Sequence, residues 1–206
     1  MKLIKIIIIQ IVLIVSLQSW IKADDIRDFQ IEGISIGDSL LKYFSKKDVK
    51  KSIAAKQGYH DKSFVRGVIC DTQNKGSWCN VKMDMNTYDA IQFHFKKKDP
   101  EYVLFMLSGI LEFPDKIQDC KQKKKNTVED LTKLFPTATQ ENSKEIHPND
   151  KTKKSLVYIT YFYLNDGSAS RIQCYDWSKK MGFTDHLKIT LDHPEYIDWM
   201  KNKAWK

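Results

Sequence analysis

The stretch SLVYITYFYLNDGSASRIQCYDW, residues 155–177, decides the fold more than any other part of the chain. Aromatic and β-branched residues dominate residues 155–164 and recur through 168–177, and Asn165-Asp166-Gly167 separates the two runs. An Asp-Gly pair between two such runs is typical of the tight turn in a β-hairpin. The sequence therefore predicts two antiparallel strands here.

Working outward from this hairpin, the periodicity predicts the remaining elements. A strand over 183–191 and a terminal helix over 194–203 follow it. Before it, residues 136–154 are polar and without periodicity, which is typical of a long surface loop. Earlier still we expect two short helices within 38–58, four strands within 63–113 and a helix opened by Pro114.

These elements predict an α+β fold class. Short turns between strands favour antiparallel sheet(s), and we expect the helices to pack on one side, in the order helices, strands, helix, strands, helix. Residues 24–206 are expected to form a single domain, with two halves, 24–113 and 114–206, that are loosely alike in plan. Gly109 is expected to mark a β-bulge.

The N-terminus predicts export. Lys2 and Lys5 precede an apolar run over residues 6–17, and Ala23 supplies a small residue ahead of the acidic pair Asp24-Asp25. This order is typical of a secretory signal peptide, here 1–23, and the apolar run is shorter than the roughly 20 residues of a spanning helix. Cleavage after Ser19 and an uncleaved anchor are the alternatives. We predict a periplasmic or secreted protein without a membrane span after cleavage.

The four cysteines of the chain agree with an exported protein in an oxidising compartment. An even number of cysteines in an exported protein indicates two disulfides, for which three connectivities are possible. The turn-rich residues 72–77 favour pairing across them, and a helix-to-sheet bond would use the other two cysteines. The favoured pairs are Cys70 with Cys79 and Cys120 with Cys174.

The charge is basic but depends almost entirely on lysine. The formal net charge of +8 becomes +5 once the three lysines of residues 1–23 are removed. Only Arg27, Arg66 and Arg171 are arginines, and specific readers of nucleic acids rely on the arginine fork. We therefore expect no sequence-specific nucleic-acid binding, while the lysine runs leave an anionic polymer as a conceivable partner.

The densest group of reactive side chains lies near the C-terminus. Asp176, Asp185 and His186 are the candidate catalytic residues, since two carboxylates and an imidazole can act as acid and base. No zinc-ligand spacing, nucleophile elbow or glycine-rich phosphate loop occurs, so we predict no cofactor and no metal site. His94 alternates with Phe93 and Phe95, which predicts a solvent-facing histidine.

One resemblance can be drawn. The run Ile34-Ser35-Ile36-Gly37-Asp38-Ser39-Leu40-Leu41 resembles the start of the helix pair in small periplasmic modules, such as β-lactamase-inhibitor-like proteins and outer-membrane-assembly lipoproteins. The resemblance implies a protein-binding role, with another envelope protein as partner. Residues 174–180, the isoleucine-rich N-terminus and Trp199 are similar to those of an uncharacterised family of small exported bacterial proteins, which implies no activity.

Two functional hypotheses follow. The first is a non-catalytic binding or interaction module that uses an exposed, aromatic sheet face. The second is a small secreted hydrolase or metal-dependent enzyme that uses the Asp/His group near the C-terminus. The first predicts an aromatic concave surface, whereas the second predicts that Asp176, Asp185 and His186 meet in one cleft.

Overall fold

The protein is described by a computed structural model that covers residues 25–55, 57–74 and 79–206. In these residues the chain forms one eight-stranded sheet and three α-helices. The helices are α1 (Lys46–Ser52), α2 (Ile117–Leu134) and α3 (Pro194–Asn202). The strands are β1 (Phe64–Asp71), β2 (Lys82–Met83), β3 (Ala90–Lys96), β4 (Leu104–Glu112), β5 (Thr139–Ile146), β6 (Leu156–Tyr163), β7 (Ala169–Asp176) and β8 (His186–Asp192).

The sheet is mixed, with the strand order β2-β1-β3-β4-β8-β7-β6-β5. β2 runs parallel to β1, and the six other neighbouring pairs are antiparallel. The strands before α2 and those after it meet in the β4–β8 ladder, which extends from the pair Met106–Asp192 to the pair Glu112–His186. This one ladder makes a single sheet out of the two parts of the chain.

Alternation along the strands gives the sheet two different faces. Phe93, Leu107, Leu187 and Cys174 lie on the face that carries the main hydrophobic cluster, together with Cys120 of α2. We call this the covered face, because α1, α2 and the segment 25–44 pack on it. The opposite face is called the open face. Two small apolar clusters lie at its ends, one under α3 and one around Cys70.

The predicted fold class is wrong. One large mixed sheet replaces the antiparallel sheets, because β2 adds to β1 in parallel. The helices do not share one side, since Tyr196 and Trp199 of α3 pack against Phe64 and Met106 on the open face. The predicted order is also wrong at its start, because Leu40–Lys42 forms only a three-residue 3-10 turn before Ser45 caps α1.

The segment predicted as a long loop, 136–154, contains strand β5. Its residues are nearly all exposed, so they show no apolar alternation. An edge strand needs hydrogen bonds from one neighbour only, and β5 pairs with β6 over eight residues. The hairpin of residues 155–177, by contrast, is present as β6 and β7.

Gly109 does not mark a bulge. The irregularity of β4 lies where His94 pairs with Met106 and Phe95 pairs with Leu104. At Gly109 the backbone faces the ring of Tyr88, and a Cβ atom there would lie 2.4 Å from that ring. The glycine is needed for this close approach and keeps its strand pairing.

Two disulfides brace the fold. Cys70 is bonded to Cys79, and Cys120 of α2 is bonded to Cys174 of β7, which is the connectivity that the sequence favoured. Both Cys120 and Cys174 are fully buried. The second bond therefore ties the longest helix to the middle of the sheet across 54 residues of chain.

Removing the two disulfides should cost different amounts of stability. In the chain-entropy model, loss of the Cys120–Cys174 bond, which spans 54 residues, lowers the free energy of unfolding by about 4 kcal/mol. Loss of the Cys70–Cys79 bond, which spans 9 residues, lowers it by about 3 kcal/mol. Chemical denaturation of the C120A/C174A and C70A/C79A variants measures both values. A larger loss for the shorter loop would contradict this ranking.

α3 buries a histidine that the sequence predicted to face solvent. His94 does lie opposite Phe93 and Phe95, but it has no exposed surface. The rings of Tyr196 and Trp199 contact it, and its Nε2 lies 3.1 Å from the Tyr59 hydroxyl. Burial, followed by the positive charges of nearby lysine and arginine side chains, holds its pKa well below the usual range.

This burial predicts a loss of stability in acid. The unfolded chain takes up a proton on His94 below about pH 6.5, whereas the folded chain does not. The free energy of unfolding should therefore fall as the pH drops below 6.5, by up to about 1.4 kcal/mol per pH unit from this residue. Denaturation at several pH values should give a shallower dependence for His94→Phe. Tyr59→Phe, which leaves the imidazole in place, should keep the wild-type slope.

Candidate functional site

A belt of polar side chains crosses the open face between its two apolar clusters. One row of directly paired residues runs across four strands of this face. It consists of Gln92, Ser108, Thr190 and Arg171. Ser108 and Thr190 are fully buried, and their hydroxyl oxygens lie 2.9 Å apart. Buried polar groups are costly unless they are paired, so such a belt in the middle of a sheet indicates a site.

Arg171 and Asp192 form a paired centre within the belt. The Arg171 guanidinium donates from Nε and Nη2 to the two carboxylate oxygens of Asp192, at 2.7 and 3.0 Å. Burial works against the guanidinium charge, but the Asp192 charge and hydrogen bonds outweigh it and raise the pKa of Arg171. The positive charge of Arg171 is therefore neutralised by the negative charge of Asp192 within the pair.

Lys188 lies beside this pair without a carboxylate of its own. It stands between Ile110 of β4 and Gln173 of β7. Within the described part of the chain no carboxylate oxygen lies within 4.0 Å of its Nζ. Burial, and then the charges of Arg171 and Arg66, lower the pKa of Lys188 from 10.5 to about 7.

Aromatic rings stand next to Lys188 and form a continuous wall. His186 stacks on Tyr175 with ring centroids 4.5 Å apart, and Tyr175 stacks on Trp177 at 5.7 Å. His147 and Phe183 contact the same indole at 4.4 and 4.9 Å. Phe183 is 59% exposed, so the wall reaches out to solvent. We call these five residues the aromatic wall.

The Nδ1 atom of the His186 ring lies between two possible partners. It is 2.9 Å from the carbonyl oxygen of Thr184, to which a protonated Nδ1 would donate, and 3.4 Å from the indole Nε1 of Trp177, from which an unprotonated Nδ1 would accept. Burial is the largest cause that lowers the pKa of His186, to about 4.

The aromatic wall bounds an open cavity of about 540 Å³, which Gln92 of the polar belt also lines. Its floor is supplied by β1, β3, β4 and β8, and its rim by the loops after β5 and β7. Glu112 lines it as well, and burial together with the nearby Asp89 charge raises the pKa of that carboxyl. The lining residues are Arg66, Gln92, Ile110, Glu112, His147, Asn149, Tyr175, Trp177, Gly182, Phe183, Thr184, His186 and Lys188.

The structure places one of the three predicted catalytic residues in the cavity lining. His186 lines the cavity, whereas Asp176 and Asp185 are not among the described residues that line it. The Asp185 carboxylate accepts a hydrogen bond from the Trp177 backbone N–H at 2.7 Å, so it fixes the strand end that carries Trp177. Burial, and then the Asp176 charge, raise the pKa of Asp185.

Sequence reasoning missed Arg66 and Lys188. A signal was present in β8, where His186, Lys188, Thr190 and Asp192 alternate with Leu187, Ile189 and Leu191. The alternation predicted a strand, but it did not show that its polar side would be enclosed. Arg66 carries no local signal in the sequence, because its neighbours, such as His94, come from distant parts of the chain.

The described residues contain neither a membrane-spanning helix nor a cluster of metal-ligating side chains. No helix among them is long and apolar enough to cross a membrane. No group of three or more histidine, cysteine, aspartate or glutamate side chains in this part of the chain is arranged to hold a metal ion. Residues 1–23, predicted as the signal peptide, lie outside the described residues.

Comparisons with known proteins give no match from which a function could be taken. The chain matches no protein-family profile, no curated protein and no solved structure. The resemblance to periplasmic helix-pair modules therefore stays a prediction. Function has to be inferred from the cavity itself.

Asp185 and Asp176 should differ in their effect on stability. Asp185→Ala leaves the Trp177 backbone N–H without its charged acceptor, which should lower the free energy of unfolding by about 1.5 to 3 kcal/mol. Asp176→Ala removes a neighbouring carboxylate that makes no such bond, and should change it by less than about 0.5 kcal/mol. Urea denaturation of both variants measures the difference. Equal effects would show that the Asp185 bond is unimportant.

Proposed function

We propose that this chain is an exported, non-catalytic binding protein whose cavity on the open face takes a small planar anion. The observation that carries the proposal is the placement of two cationic side chains, Arg66 and Lys188, in a cavity bounded by the aromatic wall. The two disulfides are compatible with an exported, disulfide-stabilised protein.

The size and lining of the cavity suit a small molecule. Its volume of about 540 Å³ falls within the range of roughly 300–1,000 Å³ that is usual for ligand sites. The wall supplies apolar aromatic surface from Tyr175, Trp177 and His186, against which a planar ring can pack in an offset or edge-to-face contact. These features favour a ring-bearing ligand over an extended polymer.

The charges favour an anion. Arg171 is already paired with Asp192, but Lys188 has no carboxylate partner among the described residues. Arg66 adds a permanent positive charge to the same cavity. A carboxylate or phosphate would relieve the repulsion between these cations, and Glu112, which pairs with His186 across the β4–β8 ladder, would disfavour a ligand with several negative charges.

The placement of the acidic residues favours binding over hydrolysis. Two of the three candidate catalytic residues, Asp176 and Asp185, lie away from the cavity lining. The lysine runs that suggested an anionic polymer are largely exposed, as at Lys151 and Lys153. An exposed charge run keeps a surface solvated and needs no ligand.

Binding of phenyl phosphate, with benzyl alcohol as the uncharged comparison, tests the proposal. Titration calorimetry should detect phenyl phosphate binding and much weaker binding of the alcohol. Arg66→Gln should weaken phenyl phosphate binding by at least about tenfold, the value of one charge-assisted hydrogen bond. Arg27→Gln, an equal charge change outside this cavity, should have no effect. Equal binding of both probes, or equal effects of both variants, would contradict the proposal.

The same binding should weaken as the pH rises. A bound anion raises the pKa of Lys188 above about 7, so the protonated amine binds it better and affinity falls between about pH 6 and pH 9. Calorimetry across this range should show the decline in the wild type and lose most of it in Lys188→Met. The other charged and titratable groups around the amine are Arg66, Glu112, His147, Arg171, Tyr175, His186 and Asp192.

Lys188→Met separates the contribution of Lys188 from those of its neighbours, among which burial and the Asp89 charge raise the pKa of the Glu112 carboxyl. The arginines stay charged, the pKa of Tyr175 lies at about 12, and that of His186 at about 4. The pKa of His147 is lowered by burial, which moves its titration towards the acid end. A pH-independent affinity would contradict the assignment of Lys188 to the site.

A further inference from the structure

The surroundings of Lys188 suit a neutral, nucleophilic amine as well as a protonated, cationic one. It projects from β8 into the cavity between Ile110 and Gln173, two side chains without charge. No carboxylate of the described chain lies within 4.0 Å to hold it protonated. An amine in such a place is free to react with a molecule bound in the cavity.

Burial and two neighbouring guanidiniums favour the neutral amine. Burial disfavours the ammonium form most, Arg171 and Arg66 add repulsion, and the Asp192 charge offsets these effects only in part. With the pKa of Lys188 at about 7, roughly half of the amine is unprotonated at pH 7, compared with well under 1% for an ordinary lysine. A lysine that is desolvated and placed next to other cations is the usual form of an imine-forming residue.

We propose that Lys188 forms an imine with an aldehyde or ketone that carries an anionic group and binds in this cavity. The inference rests on the proposed function, and it names the chemical class of the ligand. Arg66 offers the positive charge for the anionic group, and the stacked rings of Tyr175 and Trp177 offer a surface for a planar carbonyl compound.

The reaction is a condensation that needs no further reagent. The lone pair of Lys188 Nζ attacks the carbonyl carbon, a C–N bond forms, and the C=O π bond breaks. The two protons carried by the neutral amine end on the carbonyl oxygen, which leaves as water. The nitrogen lone pair then closes the C=N bond. No electrons are gained or lost, and hydrolysis reverses the step.

Reductive trapping of the full chain tests this inference. Pyridoxal 5′-phosphate at an equimolar concentration is the probe, because it combines an aldehyde, a planar ring and a phosphate. Borohydride reduction fixes any imine, and peptide mass spectrometry locates the modified lysine. Exposed Lys151 serves as the internal comparison. Lys188→Arg and Lys151→Arg are the matched variants.

We expect the adduct on Lys188 to exceed that on Lys151 by at least about tenfold, with a half-maximal yield near pH 7 set by the amine. Pyridoxal, which lacks the phosphate, and the Arg66→Gln variant should both give several-fold less adduct on Lys188. Lys188→Arg should remove the dominant adduct, and Lys151→Arg should leave it. Labelling of Lys188 at or below the level of Lys151 would overturn the inference.

A parallel measurement separates this inference from the proposed function. If phenyl phosphate binds to the wild type but no Lys188 adduct forms, the imine chemistry is refuted and the anion site stands. If phenyl phosphate does not bind and Lys188 is nevertheless labelled selectively, the amine is reactive and the anion site is refuted. If phenyl phosphate does not bind and Lys188 is not labelled selectively, the anion site and the imine chemistry are both refuted.

Discussion

The pairing of β4 with β8 is the constraint on which the rest of this structure depends. It joins the strands before α2 to those after it, and its register sets Ser108 beside Thr190 and Ile110 beside Lys188. Side chains alternate between faces, so a shift of one residue in this ladder would send Lys188 to the covered face. The apolar residues Leu187 and Leu191 on that face oppose such a shift, because it would remove them from the main cluster.

The open face combines apolar ends, which stabilise the fold, with a polar middle, which lowers its stability. Its ends are apolar and contribute to stability, under α3 and around Cys70. Its middle buries the hydroxyls of Ser108 and Thr190 and half-buries a guanidinium and an amine, which lowers stability unless partners are present. The disulfide between Cys120 and Cys174, on the opposite side of β7, braces the sheet directly behind this polar belt. The covered face therefore contributes most of the stability, and the open face carries the polar side chains of the candidate site.

Local sequence predicted some of these features and could not predict others. The hairpin of β6 and β7 follows from its turn residues, and the two disulfides follow from an even cysteine count and the positions of the turns. The side of the sheet on which α3 packs was not predictable, since an amphipathic helix does not specify its partner. β5 escaped notice because an exposed edge strand carries no alternation. The site needed Arg66 and Lys188 together, which are far apart in sequence and meet only through the sheet.

The titration of Lys188 itself tests the central claim most directly. Heteronuclear NMR of the lysine side chains, with Lys188→Arg used for assignment, reports the pKa of this amine in the folded protein. The account predicts a midpoint of about 7, set by burial in the cavity and by the positive charges of Arg171 and Arg66. A midpoint near the ordinary lysine value of 10.5 would contradict it, because the amine would then be solvated or paired with a carboxylate.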